Sequence, residues 1–107
     1  MDKKAREAYY YYKQQSPDTV IMFRMEDGYL LLSDDAECVV NYFPGLKLEH
    51  SKYGMTSLKL PIADILERVS ALASHNIGAR LVEYRNDEGQ LDIPDVQCLE
   101  KNKAADY

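Results

Sequence analysis

Residues 16–36 read Ser16-Pro17-Asp18-Thr19-Val20-Ile21-Met22-Phe23-Arg24-Met25-Glu26-Asp27-Gly28-Tyr29-Leu30-Leu31-Leu32-Ser33-Asp34-Asp35-Ala36. Val20 to Met25 is a short, strongly apolar run suited to a central strand, and Tyr29 to Leu32 is a second such run. The Asp27-Gly28 dipeptide between them is a hairpin signal, because these residues tolerate the backbone conformations of a tight turn. Pro17 pushes Ser16 out of the α region and so stops any helix that arrives from the N-terminal side. Asp34 with Glu37 three residues later predicts a capping box, and acids there also suit the positive end of a helix dipole. Ala36, Val39, Val40 and Phe43 keep helical spacing, and Pro44-Gly45 ends that helix.

N-terminal to this stretch, Lys3 to Gln15 reads as a helix with Asp2 as its cap. Ala5, Ala8, Tyr9 and Tyr12 share one face at i, i+3, i+4 and i+7. Tyr9 to Tyr12 form an unbroken run that cannot all face inward, so Tyr9 and Tyr12 are expected in the core and Tyr10 and Tyr11 partly exposed. On the C-terminal side, Leu46 to His50 and Met55 to Leu60 read as strands about a Lys52-Tyr53-Gly54 turn. Pro61 opens a helix whose apolar stripe is Ile62, Ile65, Leu66, Val69, Leu72 and Ala73, closed by Asn76 or Gly78. Ala79 to Tyr84 is a further strand, and it and Val20–Met25 are expected as inner strands of the sheet. The polar turn Asn86-Asp87-Glu88-Gly89 follows, then an edge strand at Val96 to Leu99 and a loose tail over 100–107. Helices alternating with short strands predict an α/β (α+β) fold in which three helices pack on a mixed sheet of about five to six strands.

The 107 residues suit one domain, 1–107, with 46% hydrophobic and 29% charged residues. Thirteen basic against 18 acidic residues give a net charge of −5, which excludes a generally basic nucleic-acid coat but not a local basic patch. No apolar run approaches the roughly 20 residues of a membrane span, and no leader pattern opens the sequence, so a cytoplasmic location is expected. Cys38 and Cys98 are too few and too far apart for a disulfide scaffold and read as buried thiols. His50 and His75 lack partners at ligand spacing, so no metal is expected. Glu26, Asp27, Asp34 and Asp35 invite an acid/base or nuclease reading, yet each has a structural role in a turn or at a helix start. No phosphate-cradling loop and no nucleophile elbow are present, so neither a nucleotide, a cofactor nor catalysis is expected.

Tyr12-Lys13, Ser16 to Tyr29 and Ser33-Asp34-Asp35-Ala36 together resemble the N-terminal domain of the MutS family, DNA mismatch-repair ATPases whose first domain reads the mispair. The family pattern runs Y-x-x-x-K-x-x-x-P-[DE], an apolar strand, F-[FY]-R-M-G-D-F-Y-E and then x-D-D-A. Pro61 to Leu72 looks like the family helix opening P-x-H-A, and Ala79 to Glu83 is similar to the strand before its C-E-Q. The likeness spans residues 9 to 84. It implies a mispair-recognition domain fold standing as a small protein.

In that family the Phe of F-Y-E wedges beside the mispaired base and the Glu hydrogen-bonds it. Aligned on Arg24-Met25 and Asp27, the Phe position holds Gly28 and the Glu position holds Leu30. Gly28 has no ring to insert between bases and Leu30 has no hydrogen bond to offer. Tyr29 is retained, but neighbouring strand residues face opposite ways, so it does not replace the lost ring. Glu26 stands at a family glycine and adds an acid beside the implied DNA surface. The resemblance thus implies a non-catalytic relative with its reading head removed. What it leaves is weak, salt-dependent contact with double-stranded DNA by phosphate-positioning cations, chiefly Arg24, Lys47 and Lys52 around Gly28, Tyr29 and Leu30, with Lys59, Arg68, Arg80 and Arg85 as further candidates. The alternative is a protein-interaction module that keeps the fold without DNA.

Overall fold

Thr19–Met25 (β1) and Gly28–Leu32 (β2) form the expected antiparallel hairpin, in register Phe23↔Leu30, Arg24↔Tyr29 and Met25↔Gly28. The turn sits one residue earlier than the Asp27-Gly28 signal places it. Glu26 and Asp27 make it, and Gly28 is the first residue of β2. The computed structural model describes residues 3–50 and 54–99. Among them the element order is α1 (Lys3–Gln15), β1, β2, α2 (Ser33–Val40), β3 (Ser57–Pro61), a 3-10 turn (Ile62–Asp64), α3 (Ile65–Ser74) and β4 (Gly78–Val82).

The fold is α/β with a mixed sheet ordered β3-β2-β1-β4, in which β1–β2 and β2–β3 are antiparallel and β1–β4 is parallel. Strand alternation divides the core into two layers. Ile21, Phe23, Leu30, Leu32 and Val82 face α1 with Ala5, Ala8 and Tyr9, while Val20, Met22, Leu31, Leu58 and Leu60 face α2 and α3. Helices on both faces explain why β1 is apolar at nearly every position, as in sheets covered on both sides. No described helix is long and apolar enough to cross a membrane.

Several expectations are corrected. The sheet has four strands among the described residues, not five to six. Leu46 to His50 contributes only one bridge, Glu49↔Ser57, and Val96 to Leu99 is a helical turn rather than an edge strand. Asp95 causes the latter, since its Oδ1 accepts the Gln97 and Cys98 N–H groups at 3.1 and 3.5 Å, as an N-cap does. β4 pairs only with β1 and is an edge, not an inner strand. On α3 the buried stripe is Ile65 and Leu72 with half-buried Val69, whereas Leu66 is 79% exposed and Ile62 and Ala73 are exposed. Residues 65, 69 and 72 already fill one helix face, and Leu66 lies about 100° around the axis from Ile65. Asn76 closes α3 in the left-handed conformation at φ 64, as expected. Cys38 and Cys98 are exposed, not buried. The tail over 100–107 and Lys52-Tyr53 of the expected turn lie outside the described residues.

Candidate nucleic-acid interface

The β1–β2 hairpin carries four of the six residues expected at the interface, and their burial differs sharply. Arg24 is half-buried. Its Nη1 donates to the Gly28 carbonyl at 3.3 Å, and its guanidinium lies 5.7 Å from the Tyr29 ring centroid. Gly28 is buried, and a Cβ there would fall onto the Leu60 carbonyl oxygen of β3, so only glycine permits this strand approach. Tyr29 packs half-buried on the α2/α3 layer. Leu30 faces the α1 layer at 1% exposure, so its side chain is core and is corrected as a candidate contact. Lys47 is exposed after α2, and Lys52 lies outside the described residues. The structure therefore brings Arg24, Gly28 and Tyr29 together and withdraws Leu30.

Charge around the hairpin is largely matched locally. Lys59 Nζ lies 3.5 Å from Asp27 Oδ2, and both line a small recess of about 180 Å³ with Gly28, Leu60 and Pro61. Glu26 stays exposed and accepts the Leu91 N–H at 3.4 Å. Of the remaining cations, Arg68 covers the Phe43 ring at 4.7 Å and lies 3.7 Å from Asp64, while Arg80 covers Tyr12 at 4.9 Å and donates to Ser16 Oγ at 2.9 Å. Arg85 donates to the Gly89 carbonyl at 2.9 Å.

The Asp34–Glu37 capping box does not form, because α2 starts at Ser33 with no side-chain cap. Asp35 instead turns inward, 3% exposed. Its carboxylate accepts the Ile21 N–H at 2.9 Å and Lys13 Nζ at 2.7 Å, and Lys13 also donates to the Thr19 carbonyl at 2.6 Å. This junction fastens α1, β1 and α2 to one another. Burial, and after it the charges of Asp35 and Asp34, holds the Tyr9 hydroxyl far above the ordinary tyrosine pKa. Among the described residues no group of three or more His, Cys, Asp or Glu is placed to hold a metal ion.

A second feature lies on the outer face of α1. Arg6, Glu7, Tyr10, Tyr11 and Gln14 of that helix and Val96 and Gln97 of the C-terminal turn line an open groove of about 410 Å³. Tyr10 is 54% exposed, Tyr11 half-buried and Tyr9 buried, and Tyr12 is half-buried edge-on to Phe23 at 6.1 Å. Exposed tyrosines are legible in the run itself. The opposite wall is not, because it depends on Asp95 curling Val96 and Gln97 back toward α1. Comparison of the sequence with protein-family models and with curated proteins finds no match to either.

Proposed function

We propose that the chain is a non-catalytic relative of the MutS mismatch-recognition domain that contacts nucleic acid without reading mispairs. The observation that carries this is the state of the hairpin. The segment Arg24-Met25-Glu26-Asp27 forms a hairpin end followed by a helix that starts at Ser33-Asp34-Asp35-Ala36, an order that suits the family domain. Neither residue at the reading positions presents a side chain to solvent, because Gly28 has none and Leu30 is core. Of the carboxylates that a nuclease would gather, Asp35 pairs with Lys13 and Asp27 with Lys59. Titration of matched and G·T-mispaired duplexes at two salt concentrations tests the reading. The expected result is weak binding, equal for both duplexes, that falls steeply with salt. A tenfold preference for the mispair, about 1.4 kcal/mol, would mean that some other residue reads bases.

One observation favours a second reading, a protein-interaction module. Arg24 is committed to a carbonyl and a ring, Lys59 to Asp27, and Glu26 is exposed beside them in a chain of net −5. Absence of duplex binding even at low salt would select that reading over the first.

A further inference from the structure

We infer that the groove on the outer face of α1 is a binding site for single-stranded nucleic acid, in which an unstacked base lies on Tyr10 and the adjoining phosphate meets Arg6. This rests on the nucleic-acid reading above but moves the contact away from the hairpin. Charge distribution is the first support. α1 carries Lys3, Lys4, Arg6 and Lys13 against Glu7, a net +3 within a chain of net −5, so everything outside this helix sums to −8. Lys4 is taken by Asp92 at 2.9 Å and Lys13 by Asp35 at 2.7 Å, and Lys3 lies 3.8 Å from Glu7. Arg6 is exposed and has no such partner among the described residues. A guanidinium without an ion pair, on the most basic of the described elements, favours an anionic ligand.

The groove walls narrow the class. Arg6, Tyr10 and Gln14 follow one another at i, i+4 and i+8 along α1, so a cation, a ring and a carboxamide form a row. Gln97 places a second carboxamide on the opposite wall beside Val96. Rings stack on the π-face that every base has, carboxamides match the donors and acceptors of base edges, and guanidinium matches phosphate. An acidic peptide would use Arg6 but gains no charge attraction from two neutral carboxamides. Tyr10 packs edge-on to Tyr9 at 5.4 Å and 67°, which anchors its ring while leaving more than half of the residue in solvent. A duplex keeps its base faces stacked inside, so the face of the Tyr10 ring can stack only on an unpaired base.

The test is fluorescence anisotropy with a labelled oligo-dT of about 15 nucleotides, a span suited to one small domain. A duplex of equal length and a labelled polyglutamate serve as separate arms. Oligo-dT should bind more tightly than either, Tyr10→Ala should weaken it about tenfold, and Tyr10→Phe should retain it. Arg6→Ala should weaken binding and flatten its salt dependence. Thermal melts of these surface variants should match the parent. Duplex binding that ignores Tyr10→Ala, with oligo-dT unbound, overturns the groove and leaves the duplex reading standing. Oligo-dT binding that needs Tyr10, without duplex binding, supports the groove and removes the duplex reading. Polyglutamate bound as tightly as oligo-dT, with Tyr10→Ala silent, overturns the inference in favour of an acidic peptide.

Discussion

Gly28 and Asp35 are the residues through which the sequence constrains the hairpin most tightly. A methyl group at Gly28 meets the backbone of β3 rather than a movable side chain, so β2 and β3 must separate to admit it. Gly28→Ala is expected to cost about 1–3 kcal/mol, the usual range for overpacking, and a urea midpoint unchanged from the parent would show that the strands give way freely. Phe at this position, the family's wedge, should disturb the sheet before it restores any contact. Asp35 is a different case. Removing its carboxylate leaves the Lys13 side chain, three-quarters withdrawn from solvent, without its counter-ion and the Ile21 N–H without its acceptor. Asp35→Ala should therefore cost about 3 kcal/mol, the low end for a broken buried pair because Lys13 keeps some water. A loss below about 1 kcal/mol in the same denaturation would mean that Lys13 swings out and hydrates without penalty.

Among the elements, α3 shows what sequence spacing conveys and what it leaves open. Ile62, Ile65, Leu66, Val69 and Leu72 fit an amphipathic helix, and the helix is there. Which 100° of its surface meets the sheet depends on the angle at which β3 delivers the chain through Pro61 and the 3-10 turn. Leu72→Ala should cost about 2–5 kcal/mol, whereas Leu66→Ala at 79% exposure should stay within about 0.5 kcal/mol. Equal losses in thermal melts would place Leu66 in an interface that this chain does not show by itself. Strands follow the same logic. β1 and β2 are legible because their runs are strongly apolar and joined by a short turn. Leu46 to His50 alternates well enough for a strand, yet among the described residues it pairs only at Glu49, so an alternating pattern does not by itself fix a ladder. At the C-terminus, Asp95 after Pro94 is a cap signal that outweighs the apolar run behind it.

At the scale of the whole molecule, the α/β class follows from the alternation of elements, while the α1 groove does not, since it joins residues about 90 positions apart through the turn at Asp95. The same three-dimensional arrangement gives the tyrosines a collective effect on stability. Tyr9 is held far above its ordinary pKa by burial and then by Asp35 and Asp34, and Tyr12 is raised first by burial and then by Tyr11. Both hydroxyls stay protonated in the folded chain at a pH where the unfolded chain ionises them, near pH 10. Below that pH neither state loses the proton and the fold has its full stability. Above it the unfolded state binds fewer protons than the native state, so stability falls as pH rises, until the folded tyrosines themselves titrate. Urea midpoints should be level between about pH 7 and 9 and drop by about pH 11, a window set by the unfolded tyrosine value. Tyr9→Phe removes the larger of the two contributions, so its midpoint should fall less over the same interval. Following tyrosinate absorbance alongside the unfolding signal separates this from lysine titration. If the alkaline drop were identical in Tyr9→Phe, the Tyr9 hydroxyl would have to ionise in the native fold near its ordinary pH, and α1 would not be seated on the sheet as tightly as the Lys13–Asp35 junction implies.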